Sequence, residues 1–396
     1  MCGILSALHD SLWGQMPSDV VVVGLGVMGC ATASALARRG QRVVGIERFS
    51  VGNDRGSSHG HTRVIRLGYF EHPSYVPMLR SAYRLWRDLE AEAGARLLHI
   101  TGIAEIGPPD GQIVQGTLNA AKLHDLPHEN LDARETMRRF PAFRLPMNYR
   151  AVIQPDGGYL LAEAAVQAFA SLAANAEAEL HVDETVLDIT SRTGGVRVTT
   201  DRRVIEAGTA IVTAGAWLKT LVPRLSVDLP AIRQVLGWFE PRDASLFDPG
   251  RFPVFILENP YGNHYGFPLH DMPPYAGLLK VAMHDYMARS VDPDNYDRTV
   301  QPEDEAPIRV ALEHYLPAAD GRLIAATTCL YTITEDKDFV IDRLPGEPHI
   351  IVASPCSGHG FKFAPAIGEI LANLVTTGGP GDHDISRFRL SRLAQT

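Results

Sequence analysis

Apolar and small residues near the start of the chain follow first a strand pattern and then a helix pattern. DVVVVG, from Asp19 to Gly24, is an apolar, β-branched run that predicts a buried strand, and GLGVMG predicts a tight glycine-rich turn. CATASALARR has helical character with small residues, and QRVVGIE, after Gly40, predicts a second strand that ends at Glu47. Residues 19–47 are therefore predicted to form a strand–helix–strand unit.

The following segments alternate between loop, helix and strand patterns. Residues 51–69 form a long loop rich in Gly, Ser and His, which we expect to line a site. PSYVPMLRSAYRLWRDLEAEAG has apolar residues at helical spacing, and HITGIAEIG follows as a strand. From Gly158, GYLLAEAAVQAFASLAANA predicts a helix, and strands are predicted in AELHVDETVLDI, VRVTTDRRVIEAG and TAIVTAGAW.

The pattern changes over residues 228–319. Strand-like runs, QVLGWFEP, PVFILENP, HYGFPL and GLLKVAMH, are separated by proline-rich turns and an acidic connector, which predicts the core of a second domain. The end of the chain returns to the opening pattern: HIIVASP predicts a buried strand, CSGHGFKF a turn, and APAIGEILANLVTTG a helix that ends at Gly378. The domain that begins with residues 19–47 is therefore expected to be discontinuous.

Composition and charge narrow the class of protein. The 396 residues are 45% hydrophobic and 21% charged, which is typical of an enzyme-sized globular protein and excludes collagen-like, disordered and coiled-coil proteins. The 37 basic and 46 acidic residues give a net charge of -9, and there is no dense basic run, so nucleic acid is not an expected partner. The 4 cysteines are too few and too scattered for a disulfide framework or a metal site.

Targeting signals are not expected either. Residues 1–18 lack the cationic start and apolar core of an export signal, and we predict a loosely ordered extension there. No stretch is apolar over the length that a membrane helix needs. Together with the few cysteines, these features favour a reducing, cytoplasmic location and no membrane partner.

Gly24, Gly26 and Gly29 form a GxGxxG motif between the first strand and the first helix, and Glu47 ends the next strand. The first glycine makes the turn, the second lets the backbone approach a pyrophosphate, and the third allows close packing of the helix. A carboxylate at the end of the second strand accepts hydrogen bonds from ribose hydroxyls. The motif predicts a dinucleotide site and leaves FAD and NAD open.

Four basic residues and one cysteine are further candidates for functional residues. Arg63 and Arg66, in HGHTRVIR, can hold negative charge in one cleft or remain solvated. Lys280 and Lys362 have apolar sequence neighbours, so each is either buried with a partner or lies on the polar side of its segment. Cys329 has no His or Cys partner at close spacing and is by itself typical of a small core residue.

Four blocks of sequence, taken together, resemble the monomeric sarcosine oxidase and N-methyltryptophan oxidase family, within the glycine/D-amino-acid oxidase superfamily of FAD-dependent amine oxidases. The blocks are VVVGLGVMG, GSSHGHTRVIR with Tyr69, YGFP with GLLKVAMH, and CLYT with DFVID and SGHGFKFAPAIGE. They extend from Asp19 to about Phe388. The last block is the most specific, because CxYT and SGHGFKF occur together at the family's spacing.

The resemblance implies FAD as the cofactor and assigns roles to single residues. Cys329 corresponds to the cysteine that carries FAD covalently through an 8α-S-cysteinyl thioether, and Lys280 to the catalytic lysine near the flavin that promotes its reaction with oxygen. Arg66 and Lys362 correspond to the pair that binds the substrate carboxylate, and Arg63 to an arginine above the flavin ring.

The resemblance implies further roles for residues that the local patterns do not single out. His284 and Tyr331 are expected in catalysis, and Tyr69, Ile256 and Tyr265 in substrate binding. The cofactor is expected to contact these further positions, besides the glycines, Glu47, Arg63, Cys329 and Lys362: Val27, Met28, Arg48, His59, Thr62, Val186, Gly215, Gly358, His359, Gly360 and Phe361. No metal is expected.

The implied activity is oxidation of the C–N bond of a secondary α-amino acid, either sarcosine or another N-methyl or cyclic imino acid. Two electrons pass to FAD, the imine hydrolyses, and oxygen is reduced to hydrogen peroxide. The expected partners are an amino-acid substrate with a carboxylate and O2, and the resemblance implies a monomer. The alternatives are a flavin dehydrogenase or biosynthetic tailoring oxidase of a cyclic imine or amine and, more remotely, a non-catalytic flavoprotein subunit.

Three departures from the family's pattern bear on the substrate. Ile256 stands where the family has a thioether side chain, the segment after Arg66 is LGYFEHPSY, and the loop from YGFP to Lys280 is longer. We expect all three to border the substrate pocket. They leave the reaction class intact and the amine open, with a bulkier N-alkyl or cyclic imino acid as candidates.

These observations predict a mixed α/β (α+β) fold. A discontinuous Rossmann-like FAD-binding domain is expected to comprise residues 19–105, 156–227 and 320–390, the last of these with the flavin attachment. A second, antiparallel-sheet substrate domain is expected to comprise residues 106–155 and 228–319.

Overall fold

The computed structural model describes residues 18–284 and 289–393, so almost all of the predicted extension 1–18 lies outside the described residues. The strands, in chain order, are β1 (Ser18–Val23), β2 (Val43–Ile46), β3 (Thr62–Ile65), β4 (Leu98–Ile100), β5 (Ile103–Gly107), β6 (Glu129–Asp132), β7 (Arg150–Gln154), β8 (Gly158–Leu161), β9 (Glu179–His181), β10 (Val186–Arg192), β11 (Gly195–Thr200), β12 (Val204–Val212), β13 (Ala231–Phe239), β14 (Val254–Asn259), β15 (Gly262–Gly266), β16 (Leu279–His284), β17 (Ser290–Val291), β18 (Leu323–Thr332), β19 (Val340–Leu344) and β20 (Glu347–Ser354). The α-helices are α1 (Val27–Ala37), α2 (Val76–Ala93), α3 (Gln112–His124), α4 (Ala133–Arg139), α5 (Ala162–Asn175), α6 (Leu218–Leu221), α7 (Pro302–Tyr315) and α8 (Ala364–Thr376).

The first sheet has a parallel centre. Strand β1 pairs in parallel with β2 and β12, β2 with β9, and the second half of β12 with β20. Antiparallel strands flank this centre, with β10 and β11 beside β12 and β19 beside β20. Val20 and Val22 belong to one hydrophobic cluster and Val21 and Val23 to another. The continuous apolar run of β1 therefore follows from burial on both faces of the sheet.

Small residues allow the helices on one face to pack closely. Helix α1 contacts α5 and α8, and α2 also packs on α8. A Cβ atom at Gly368 of α8 would lie 2.8 Å from the carbonyl oxygen of Ala31 in α1, so the two backbones touch there. The small residues of α1 thus permit close packing of the helices on this face.

The second sheet is mostly antiparallel and holds the candidate cysteine and lysine. Its order is β17-β13-β16-β15-β14-β5-β7-β6, with β18 also paired to β13, and only the β14–β5 pair among these is parallel. Cys329 on β18 lies opposite Gln234, and Lys280 on β16 lies opposite Trp238. A small third sheet, β3-β8-β4, carries Arg63 on β3.

Several elements differ from the sequence-based expectation. HITGIAEIG, expected as one strand, is divided at Gly102, whose φ of +75° turns the chain from β4 in the third sheet to β5 in the second. GYLL, expected to be helical, forms β8, and α5 begins only at Ala162. A third strand, β3, lies within the predicted loop 51–69. In each case pairing with a distant strand outweighs the local pattern.

The mixed α/β class is confirmed, with a mainly parallel and a mainly antiparallel sheet. The domain boundaries stay predictions. Strands β5 and β18 begin in segments predicted for the FAD-binding domain, yet both strands belong to the second sheet. No helix among the described residues is long and apolar enough to cross a membrane.

Gly29→Ala is expected to destabilise the first sheet and its helix layer. The added Cβ would lie 1.8 Å from the carbonyl oxygen of Gly24, an overpacking that costs about 1–3 kcal/mol. Chemical unfolding followed by circular dichroism measures the loss. Gly379→Ala is the control, because a Cβ there has no neighbour within 4 Å among the described residues. Equal unfolding midpoints for the two variants would contradict this explanation.

Candidate functional site

A cavity of about 510 Å³ extends from the glycine-rich turn after β1 to the strands of the second sheet. It is lined by most of the predicted site residues: Gly24, Gly26, Val27, Met28, Glu47, Arg48, Arg63, Arg66, Val186, Gly215, Ile256, Tyr265, His284, Tyr331, Gly358, His359, Gly360, Phe361 and Lys362. Six predicted residues are not among those that line it: Gly29, His59, Thr62, Tyr69, Lys280 and Cys329. The fold therefore brings together residues that are far apart in sequence.

One end of the cavity has the features of a dinucleotide site. Gly24 has a φ of +92°, and a Cβ there would lie 2.9 Å from the backbone of Ala214, so the turn requires glycine. Gly26 caps α1 without a side-chain hydrogen bond, and the first residues of α1 line the cavity. The partial positive charge of a helix N-terminus favours phosphate oxygens at such a position.

Glu47 lies at the same end, directly after β2. Its carboxylate accepts hydrogen bonds from the backbone N–H groups of Leu25, at 2.8 Å, and Phe49, at 3.0 Å. Burial raises the pKa of Glu47, and these N–H groups oppose that change. Because a carboxylate has further lone pairs, it can still accept from ribose hydroxyls. The glycine cradle, the helix end and this carboxylate fit the adenosine diphosphate part of a dinucleotide.

Lys280 lies buried beside the cavity. Its ammonium donates to the carbonyl oxygens of Gly60, at 2.6 Å, and Thr62, at 2.7 Å, and lies 4.9 Å from the ring centre of Phe267. Burial lowers the pKa of Lys280 well below its ordinary value, and the charge of Arg63 adds to the effect. Thr62 does not line the cavity, and its carbonyl oxygen instead fixes the position of Lys280.

Cys329 is buried and not disulfide-bonded, on the strand whose next residues, Leu330 and Tyr331, line the cavity. Burial raises the pKa of its thiol, while the charges of Arg63 and Lys280 lower it.

His59 is also buried, which lowers its pKa to about 4.

Arg66 already holds a carboxylate. One of its terminal nitrogens donates to both oxygens of Glu71, at 2.8 and 2.7 Å, and the other donates to the carbonyl oxygen of Gly68 at 2.8 Å. The guanidinium carbon lies 4.3 and 4.2 Å from the ring centres of Tyr69 and Phe70. Arg66 thus has the geometry of a carboxylate receptor, and Glu71 is the internal occupant.

Lys362 is the second cation at this end. It donates to the carbonyl oxygen of His359 at 2.6 Å, and burial together with the charge of Arg66 lowers its pKa to about 7. The hydroxyl of Tyr69 is hydrogen-bonded to Nδ1 of His359 at 2.6 Å. Tyr69 therefore supports Arg66 and Lys362 from outside the cavity.

Two tyrosines and a histidine complete the cavity wall near the second sheet. Gly358 has a φ of +78°, and a Cβ there would lie 2.6 Å from the ring of Tyr331 and 2.7 Å from that of His284. Burial raises the pKa of Tyr265 to about 12 and that of Tyr331 well above its ordinary value. Both phenols are therefore neutral hydrogen-bonding groups near neutral pH.

The three departures from the family pattern fall in two places. Ile256 lines the cavity, as do Phe70 and Glu71 from the segment after Arg66. The longer loop is not among the described residues that line it, although its Met272 packs against the apolar cluster that contains Ile256, and its place at the substrate pocket stays a prediction. Its Tyr275 stacks on Trp238, with ring centres 4.0 Å apart, and its His270 lies on His61. The loop therefore packs near Lys280, because its rings bury themselves against that side of the second sheet.

Sequence reasoning missed the acidic partners of Arg66. Glu71 and Glu105 both lie within 4 Å of its guanidinium nitrogens, and Glu105 is completely buried. One signal was present: GIAEIG places an acidic residue in an otherwise apolar strand, where a carboxyl group needs a partner. Within the described part of the chain, no cluster of His, Cys, Asp and Glu has the arrangement of a metal site.

Comparisons with known proteins agree with this geometry. A family model described as FAD dependent oxidoreductase matches residues 19–374. Monomeric sarcosine oxidase of Streptomyces avermitilis is 39% identical over 95% of this chain and 98% of its own. N-methyl-L-tryptophan oxidase of Yersinia pestis is 33% identical over 96% of this chain and 100% of its own. The solved structure of NikD, described as an unusual amino acid oxidase essential for nikkomycin biosynthesis, superimposes with a TM-score of 0.82 at 28% identity, over 94% of this chain and 97% of that one.

Proposed function

Because the chain belongs to the FAD-dependent oxidoreductase family, we propose that it oxidises secondary α-amino acids, of the N-methyl or cyclic imino type, with O2 as the electron acceptor. The observation that carries the proposal is the cavity that joins a dinucleotide-type end to the buried pair Arg66 and Lys362. The relatives named as sarcosine and N-methyltryptophan oxidases support the N-methyl class of substrate.

The residues around the cavity fit FAD. The turn at residues 24–29, Glu47, Val186 and Gly215 would hold the adenosine diphosphate part, and Arg63 with residues 358–362 would hold the flavin. Bound FAD would supply the two-electron acceptor for the amine. In our proposal Cys329 carries the flavin covalently, and its place next to cavity residues on β18 supports this role.

Arg66 and Lys362 would bind the substrate carboxylate. Glu71 must give way for this, and its side chain is 19% exposed whereas that of Arg66 is 2% exposed. Glu71 keeps its charge when it turns into the cavity, so the arriving carboxylate adds one negative charge to this part of the site, which has to be offset there. Two cations near the amine also favour its neutral form, which is the form that can be oxidised. Ile256, Phe70 and Tyr265 would contact the amine substituent.

Lys280 would serve the reaction with oxygen. A positive charge held in place by two carbonyl oxygens stabilises negative charge that develops on reduced oxygen. Since burial lowers the pKa of Lys280, we expect the oxygen reaction to slow at high pH, when this group loses its proton. A monomeric state and a cytoplasmic location remain predictions from the sequence.

A substrate panel tests the proposed function. We expect hydrogen peroxide from one or more N-methyl amino acids, proline or pipecolate, measured by a coupled peroxidase assay. Turnover with an artificial dye but without peroxide would instead favour a dehydrogenase. Proline and pipecolate represent the cyclic imino acids that the sequence leaves open as substrates. No turnover in either format would contradict catalysis and favour a non-catalytic flavoprotein.

Cys329→Ala is expected to release the flavin. After acid precipitation, the wild-type pellet should be yellow and the variant pellet colourless, with free FAD in the supernatant. Cys356→Ala is the matched control, because Cys356 also lines the cavity and is a free thiol. A colourless wild-type pellet would remove Cys329 from this role.

Lys280→Met is expected to separate the two half-reactions. Anaerobic flavin reduction by substrate should stay near normal, whereas reoxidation by oxygen should slow by about 10²–10³-fold, as when a charge-stabilising group is lost. Stopped-flow absorbance measures both steps. Lys122→Met, at an exposed position of α3, is the control. Equal losses in both half-reactions would contradict the oxygen role.

A further inference from the structure

A second carboxyl group faces Arg66 from behind. Oε1 of Glu105 lies 3.4 Å from Nε of Arg66, while Glu71 holds the far end of the guanidinium at 2.7 Å. The side chains of Arg66 and Glu105 are 2% and 0% exposed. Because the surroundings exclude water, the charges of these groups interact more strongly than they would at the surface. Arg66 is therefore shared between two carboxyl groups.

Hydrogen bonds through Gln154 and Gly68 fix Glu105 in this position. Gln154 donates to Oε2 of Glu105 at 2.5 Å and accepts from the backbone N–H of Gly68 at 2.7 Å. The carbonyl oxygen of Gly68 accepts in turn from Arg66 at 2.8 Å, so a chain of hydrogen bonds leads from Glu105 to the arginine with which it forms an ion pair. A Cβ atom at Gly68 would lie 2.1 Å from the amide nitrogen of Gln154, so this chain also requires the glycine. The surrounding residues therefore hold Glu105 in a fixed position beside Arg66.

The two carboxyl groups differ in their freedom to move. Glu71 lines the cavity and is partly exposed, so it can leave Arg66 for water. Glu105 lies on β5, paired on one side to β7 and on the other to β14, and cannot leave. An additional carboxylate in this cluster raises its negative charge unless Glu105 takes up a proton. Burial of uncompensated charge is costly, so protonation is the available response.

We propose that Glu105 determines how strongly this site prefers a carboxylate, because its carboxylate competes with the ligand for Arg66 and releases that arginine by accepting a proton from solvent. This inference rests on the proposed role of Arg66 in binding the substrate carboxylate. Binding of the ligand and protonation of Glu105 then favour each other, as linkage requires.

The electrostatic surroundings agree with this coupling. Burial, with a further contribution from Glu71, raises the pKa of Glu105 to about 8, although Arg66, Thr117 and Gln154 oppose the change. Lys362 and Tyr83 are further titratable groups that interact with Glu105. A bound anion raises the pKa of Glu105 again, so anion affinity is highest below pH 8 and falls as the pH rises. Lys362, with its pKa of about 7, contributes a separate fall at lower pH.

Propionate and propionamide are suitable probes, because they differ in charge and lack an amine. Each is titrated into the FAD-loaded enzyme from pH 6 to 10, and binding is followed by flavin absorbance. For the wild type, the Kd of propionate should rise up to about tenfold per pH unit above pH 8, while that of propionamide should stay constant. Glu105→Gln keeps an acceptor for Gln154 and should remove this step, which leaves propionate bound about tenfold more tightly than in wild type at pH 9.

One control variant and the wild-type profile separate the possible failures. Glu90→Gln removes a carboxylate that accepts from the backbone N–H groups of Leu97 and Leu98, far from Arg66 in sequence, and should leave the pH profile unchanged. If the wild-type enzyme shows no preference for propionate over propionamide at pH 6, the proposed function fails. If the wild-type enzyme shows that preference and the Glu105→Gln profile still coincides with the wild-type profile, the proposed function stands and the role of Glu105 is overturned.

A measurement without substitution of Glu105 covers the case in which Glu105→Gln does not fold. Calorimetric titration of propionate into Lys362→Met, in two buffers of different ionisation enthalpy, counts the protons taken up on binding. Lys362 cannot contribute in this variant, so uptake at pH 8.5 supports protonation of Glu105. Binding without proton uptake would overturn the proposal.

Discussion

Three buried cations where the sheets meet place the strongest constraint on the structure, because each has lost its contact with water. Arg66, Lys280 and Lys362 are each almost completely buried, and a buried cation is tolerated only with nearby acceptors. Lys280 and Lys362 use backbone carbonyl groups, whereas Arg66 uses two carboxyl groups and one carbonyl. The contacts of the three cations with these acceptors connect the third sheet, the segment after it and the turn before α8. The cost of the buried charge is thus met by elements that also shape the cavity.

Much of the fold was predictable because its local patterns agree with its tertiary contacts. The apolar run of β1, the glycine turn and the small residues of α1 all predict the same unit, and the structure confirms it. The pattern failed where a long-range pairing decides the local conformation. GYLL continues into a helical sequence, yet β3 and β4 both pair with it and make it a strand.

The cations of the site could be predicted from the sequence, whereas the residues that form ion pairs and hydrogen bonds around them could not. Lys280 and Lys362 stand out because a lysine among apolar neighbours needs an explanation. Glu71 and Gln154 do not stand out, since acidic and amide residues are common on surfaces, and only the folded chain brings Glu71 to Arg66 and Gln154 to Gly68 and Glu105. The roles of single residues rest on their correspondence with a family, and the structure adds which neighbours control each charge.

The division of the cavity between two sheets has a consequence for assembly. Its glycine turn follows β1 of the first sheet, whereas Cys329 lies on β18, which pairs with β13 of the second. A flavin carried by Cys329 and cradled by that turn would be a cross-link between the two sheets. Because the turn and the thiol belong to different sheets, a flavin bound at both would require both sheets to be in place, so its attachment would mark a folded chain. The covalent bond would then resist separation of the two sheets.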